Sequence, residues 1–244
     1  VYLPYDEELG VHPQCEGFTT LREWDFDTNQ TYPLLLHEPY VRLYPTQVIK
    51  QADLVLAMHW QSHYFTPEQK ARNVDYYERR TTRDSSLSAC TQAVMCADVG
   101  HLELAHDYTY EAAMIDLRDL HRNTRDGLHM ASLAGAWTAL VAGFGGLRDD
   151  TGVLALDPHL PRGITRLRFR LRWRDFRLTI DVNHADVTYT LRDGPHHSLT
   201  ILHAGEELML TTDAPKTMPV RPRRPLLPEP EQPPGRAPLR HRKE

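Results

Sequence analysis

The apolar residues of this chain change period once, and the change falls at a cluster of glycines. From Val48 to about Ala142 they recur at helical spacing, whereas after Gly143, Gly145 and Gly146 they alternate with polar residues. One element cannot satisfy both periods, so the chain must fold as a helical part followed by a β part. The spacing predicts helices over residues 46–60, 88–99, 102–120 and 131–142. The second and fourth are almost free of charge, which predicts burial on most sides. Residues 1–45 carry five prolines and read as loop.

In the β part, Leu167, Phe169, Leu171 and Trp173 alternate with five arginines from Arg166 to Arg174. Phe176, Leu178 and Ile180 resume on the other parity, so a turn is expected at Arg174-Asp175 and the arginines should form a solvated face. Further strands around Val187 to Leu191, Leu199 to Ile201 and 206–212 complete a small antiparallel meander, with a turn at Ala204-Gly205. Residues 215–244 hold nine of the 18 prolines and no aliphatic pattern, which predicts a disordered basic tail. The expected division is therefore 1–150 helical, 151–213 β and 214–244 tail.

Composition narrows the function classes. The formal charge is −5, and because the tail is basic the remainder is more acidic still, unlike a nucleic-acid binder. No apolar run approaches the roughly 20 residues needed to cross a bilayer and the start lacks a signal-peptide pattern, so a cytoplasmic protein without membrane partners is expected. The chain begins without Met in a loop-like stretch, which suggests a fragment. Three cysteines, Cys15, Cys90 and Cys96, read as buried thiols rather than a disulfide framework.

Several motifs carry possible chemistry. Asp126-Gly127-Leu128-His129-Met130-Ala131-Ser132 leads a polar loop straight into an uncharged helix, and free N–H groups beside a histidine and a hydroxyl suit an anion. A simple cap with a core histidine predicts the same residues, and composition alone favours that reading. Arg83-Asp84-Ser85-Ser86-Leu87-Ser88 is a second helix entry, richer in hydroxyls than a cap requires. Lys50 and Gln51 lie on an otherwise apolar helix face, where a charge needs a partner, a cleft or a route to the surface. His59 and His63 have i,i+4 spacing, yet no Glu follows His59 and no third ligand is indicated, so no metal site is expected. Nucleophile elbows, P-loops and dinucleotide glycine patterns are absent from the sequence.

Taken together, Lys50-Gln51-Ala52-Asp53, Asn73-x-Asp75-Tyr76-Tyr77-Glu78, Asp84-Ser85-Ser86-Leu87-Ser88, Asp126-Gly127-x-His129-x-x-Ser132 and Gly143-Phe144-Gly145-Gly146 resemble glycoside hydrolase family 65. This is the family of maltose, trehalose and kojibiose phosphorylases. The resemblance implies an α+β chain: the C-terminal part of an (α/α)6 barrel followed by a small antiparallel β-sandwich domain. It implies an inverting reaction in which a Glu protonates the glycosidic oxygen while phosphate attacks from the opposite face. No catalytic residue is expected in this chain, because that Glu belongs to a motif upstream of residue 1. The resemblance assigns Lys50 and Gln51 to a glucosyl subsite and Ser85, Ser86, His129 and, more weakly, Ser132 to phosphate. Its expected partners are a disaccharide α-glucoside and inorganic phosphate as co-substrate, with no cofactor, and it leaves room for a homodimer of the full-length protein. Arg79-Arg80 departs from the family pattern, where Pro and an apolar residue are expected. A trehalase-like hydrolase of the same family and a non-catalytic scaffold or binding module are the alternatives.

Overall fold

The computed structural model describes residues 2–240. The first 50 residues are mostly irregular, with two single-turn helices, α1 (Leu34–His37) and α2 (Tyr40–Leu43). Five longer helices follow: α3 (Asp53–Trp60), α4 (Pro67–Glu78), α5 (Ser88–Asp98), α6 (Leu102–Met114) and α7 (Met130–Thr138). A π-helical turn, Ala139–Phe144, extends α7 to the glycine cluster.

The helix expected over residues 46–60 begins only at Asp53. Its first part is drawn into strand-like pairing instead: the Ile49 N–H donates to the Arg80 carbonyl and the Thr82 N–H to the Ile49 carbonyl. Long-range backbone pairing thus overrides local periodicity. Helix α4 has no counterpart among the expected helices. It starts on a capping box in which Thr66 and Gln69 exchange hydrogen bonds, with Pro67 at the first helical position.

Helix α5 is buried along most of its length, from Ser88 to Ala97, as its uncharged sequence predicts. Helix α7 is not: Met130, Leu133 and Trp137 are exposed, because no described residue covers that face. The two helices run parallel and close together. A Cβ on Gly135 would lie 2.5 Å from the Cys90 sulfur, and one on Gly143 would meet the Val94 Cα at 3.5 Å, so small residues set this approach. Helix α6 returns antiparallel to both, leaving the start of α5, the end of α6 and the start of α7 at one end of the layer.

The β part begins at β1 (Ala155–Leu156) and continues through β2 (Arg166–Trp173), β3 (Phe176–Asn183), β4 (Asp186–Asp193), β5 (Ser198–His203), β6 (Glu206–Thr211) and β7 (Lys216–Pro219). Two sheets form rather than one meander. One is β2-β3-β4-β7, wholly antiparallel; the other is β1-β5-β6, in which β1 pairs parallel to β5. Arg174 and Asp175 make the β2–β3 turn, both at positive φ, and Ala204-Gly205 makes the β5–β6 turn in the same way. Arg166, Arg168, Arg170 and Arg172 are exposed, with Arg166 on Asp181, so they form the solvated face. Ile180, Val182, Val187 and Tyr189 face inward with Ile201 and Leu210, and Tyr189 hydrogen-bonds His203 between the sheets at 2.8 Å.

The disordered tail expected from residue 214 is corrected over residues 214–240; residues 241–244 of that segment lie outside the described residues. Lys216–Pro219 adds β7 beside β4, and the chain then returns across the helices. Proline richness excludes helices there, but not order, since its arginines reach acidic partners on the helical part. Cys96 is buried and Cys90 partly so, whereas Cys15 is exposed because it lies on the irregular opening segment; all three are free thiols.

Asp98, at the end of α5, joins these parts. Lys70 of α4 lies 3.1 Å away, Arg148 of the inter-part connection 3.3 Å and Arg223 of the returning tail 3.4 Å. Burial opposes ionisation, but Arg148, Lys70 and Arg223 together hold the Asp98 carboxyl down at about 2. Asp98→Asn should therefore leave Lys70 and Arg148 without their anion and Arg223 with Asp157 alone, and cost about 3 kcal/mol in urea unfolding at neutral pH. A carboxyl depressed on folding stabilises above its unfolded pKa and loses that contribution on acidification. Between about pH 4 and pH 2 the wild type should lose roughly 2 kcal/mol that the Asn variant does not.

Candidate functional site

The sequence-predicted site residues lie on two helix entries and on the segment that pairs between them. Lys50 and Gln51 sit in a bend just before α3, not on its apolar face. Lys50 is exposed and Gln51 half-buried, the Gln51 amide donating to Asp53 at 2.9 Å. Both line a cleft of about 490 Å³ with Tyr40, Tyr44, Asp53 and Thr82, where the rings of Tyr40 and Tyr44 stack at 5.4 Å. The hydroxyl of Ser88 donates to the Lys50 carbonyl at 3.4 Å, which ties this cleft to the start of α5.

Ser85 and Ser86 are half-buried in the turn entering α5. The Ser85 hydroxyl accepts from the Leu87 N–H at 3.3 Å, and its carbonyl accepts from the Ser88 N–H. No side chain caps α5; the Ser85 carbonyl takes the first N–H instead, and Ser88 and Ala89 are buried. Asp84 does not cap either. Its buried carboxylate accepts from the Leu34 N–H at 2.7 Å and pairs with Arg236 at 3.1 Å.

His129 occupies the equivalent position at the start of α7, which also has no side-chain cap. Asp116, just past the end of α6, grips it twice: one carboxylate oxygen faces His129 Nδ1 at 2.6 Å and the other accepts from its backbone N–H at 2.9 Å. The hydrogen bond from His129 holds the Asp116 carboxyl below its ordinary range. With Nδ1 engaged by a carboxylate, Nε2 is the ring atom offered outward, and in a protonated ring it donates. The His121 ring stands edge-on at 5.8 Å, its proton affinity lowered first by burial and then by His129.

Ser132 is removed from the set. It is fully buried, and its hydroxyl donates to the Ala112 carbonyl of α6 at 3.3 Å, so it fastens α7 to α6. Lys50, Gln51, Ser85, Ser86 and His129 remain at one end of the helical layer. Sequence reasoning missed Asp116, which no motif links to a histidine thirteen positions on, and Arg236, hidden in the proline-rich tail. His59 and His63 diverge: burial, then Arg148, lowers His59 to about 4, while His63 pairs with Asp150 at 2.7 Å. Among the described residues, no group of three His, Cys, Asp or Glu side chains is placed to hold a metal ion, and no helix is long and apolar enough to cross a membrane.

Residues 1–138 match the glycosyl hydrolase family 65 central catalytic domain and residues 147–210 that family's C-terminal domain, so the chain belongs to glycosyl hydrolase family 65. It is 79% identical over 240 residues to an uncharacterised glycosyl hydrolase of Mycobacterium leprae, covering 98% of this chain and 30% of that protein. It is 40% identical over 222 residues to the α,α-trehalose phosphorylase of Geobacillus stearothermophilus, covering 88% of this chain and 28% of that one. A solved kojibiose phosphorylase-like protein from the human microbiome superposes with a TM-score of 0.80 at 30% identity, over 89% of this chain and 30% of its own. The chain thus spans about 30% of the length of the curated relatives it matches. The expected fold class, the end of an (α/α)6 barrel followed by a small β-sandwich, holds.

Asp116→Asn tests how His129 is held. An amide can accept from only one of the two N–H groups, so the ring should lose its single Nδ1–H tautomer and drift toward the Nε2–H form. Nitrogen-15 NMR of the imidazole reads this directly; an unchanged tautomer in the variant would mean that Asp116 does not set it.

Proposed function

We propose that this chain is the C-terminal part of an inverting α-glucoside phosphorylase that converts a disaccharide and phosphate to β-glucose 1-phosphate. The observation that carries this reading is His129, held by Asp116 at the entry of α7, with Ser85 and Ser86 at the entry of the parallel helix α5. Positive helix ends, hydroxyl donors and the Nε2–H of a doubly protonated His129 together suit an anion of phosphate size. In this reading Lys50 and Gln51 donate to hydroxyls of the glucosyl unit in the adjoining cleft.

Water as the nucleophile would need a carboxylate base where phosphate sits. The acids near this site are engaged: Asp84 with Arg236, Asp116 with His129 and Asp53 with Gln51, while Asp126 points into solvent beside Arg125. This supports phosphorolysis over hydrolysis. The trehalose phosphorylase among the relatives gives the same direction. The general acid is assigned to the part of the parent-length protein upstream of residue 1.

The parent-length protein, incubated with trehalose, kojibiose or maltose, should release β-glucose 1-phosphate only when phosphate is present. Free glucose formed at the same rate without phosphate would make it a hydrolase and withdraw the roles of Ser85, Ser86 and His129. The isolated chain should show no turnover and should bind hydrophobic dyes through Met130, Leu133, Trp137 and Trp60, all exposed here. A compact, dye-silent monomer would favour a non-catalytic module instead.

A further inference from the structure

The match to the family's C-terminal domain ends at residue 210, yet the chain continues and comes back to the helical part. After β7, Arg223 pairs with Asp98 and Asp157. Gln232 then donates to the buried carboxylate of Glu78 at 3.2 Å, which Tyr108 and Gln92 also hold at 2.6 Å. Four residues later Arg236 reaches the start of α5. Its Nε donates to the Thr82 carbonyl, its Nη2 lies 3.1 Å from Asp84, and its guanidinium covers the Tyr32 ring at 4.7 Å. Arg83 in turn donates to the Arg236 carbonyl, and the Leu239 N–H donates to Glu111 at 3.3 Å.

These contacts matter because of where Asp84 sits. Its side chain is 1% exposed and it directly precedes Ser85. A buried carboxylate next to an anion site needs a counter-ion, both to remain ionised and to avoid repelling the ligand. That counter-ion is Arg236, 152 positions further along the chain. The same guanidinium also fixes the Thr82 carbonyl, so one side chain restrains the turn on two sides.

We propose that the returning tail is an integral strap of the site and that Arg236 is a positioning residue: by neutralising Asp84 and anchoring Thr82 it holds Ser85 and Ser86 in place to receive phosphate. This rests on the phosphorylase reading above. Arg236 acts on the nucleophile's subsite through Asp84, so its removal should separate phosphate binding from sugar binding.

The test uses the parent-length protein with inorganic phosphate as the probe. Arg236→Gln should raise the phosphate KM by about tenfold or more while the disaccharide KM stays within about twofold. Arg236→Lys should recover most of the loss through charge. The double variant Asp84→Asn with Arg236→Gln, which removes both charges, should return the phosphate KM to within about threefold of wild type. A phosphate KM unchanged in Arg236→Gln overturns the proposal. So does an equal rise in both KM values that neither Lys nor the double variant relieves, because that is the signature of general loosening. If the wild type works without phosphate, the phosphorylase reading fails by itself. The strap is then decided by phosphorus NMR of phosphate binding: weaker binding in Arg236→Gln than in wild type sustains it, and no binding in either overturns it.

Discussion

The structure is organised by one buried carboxylate. Asp98 closes α5 and collects Lys70, Arg148 and Arg223, which belong to α4, to the connection between the two parts and to the returning tail. Cations at that end also complement the carbonyl pole of α5. Arg148 does more than pair with Asp98, since it also donates to the Ala142 carbonyl of the π turn at 2.8 Å. The handover from helices to sheets is thus fixed at the C-terminal end of α5. The opposite end holds a second charged cluster, Arg236 with Asp84 and Arg83 with Glu111, beside the turn that carries Ser85 and Ser86.

The handover itself explains why the change of period was readable. Gly146 adopts φ +63°, and a Cβ there would lie 2.1 Å from the Asp157 carbonyl, so no other residue fits that crossing. Gly135 works likewise at the α5–α7 contact. Steric demands of this kind write themselves into the sequence as glycines, and the Arg174-Asp175 and Ala204-Gly205 turns were visible for a related reason. Helix α4 was not, because polar residues interrupt its buried face. Asn73 and Glu78 are among its buried residues, and a hydrophobic period counts them as surface. Their burial is offset by partners distant in sequence: His12 for Asn73, and Gln92, Tyr108 and Gln232 for Glu78.

The site divides along the same line. Ser85, Ser86 and His129 could be singled out because helix entries have a local signature of hydroxyls, glycine and a missing charge. What holds those residues could not, since Asp116 and Arg236 act through charge pairing across the fold, which leaves no spacing to read. The settings expected for Lys50 and Ser132 show the reverse. Each had the right residue type in a helical context, but the backbone pairing of Ile49 with the 80–82 segment takes Lys50 off the helix, and the α6 contact turns the Ser132 hydroxyl inward.

The contrast between α5 and α7 bears on what this chain can do by itself. Both have little charge, yet α5 is enclosed while α7 keeps Leu133 and Trp137 exposed on one side. His129 is nonetheless fixed from the enclosed side, through Asp116 and through Ser132 on Ala112, both reaching α6. The position of His129 is therefore set from within these residues and does not depend on whatever covers the outer face of α7.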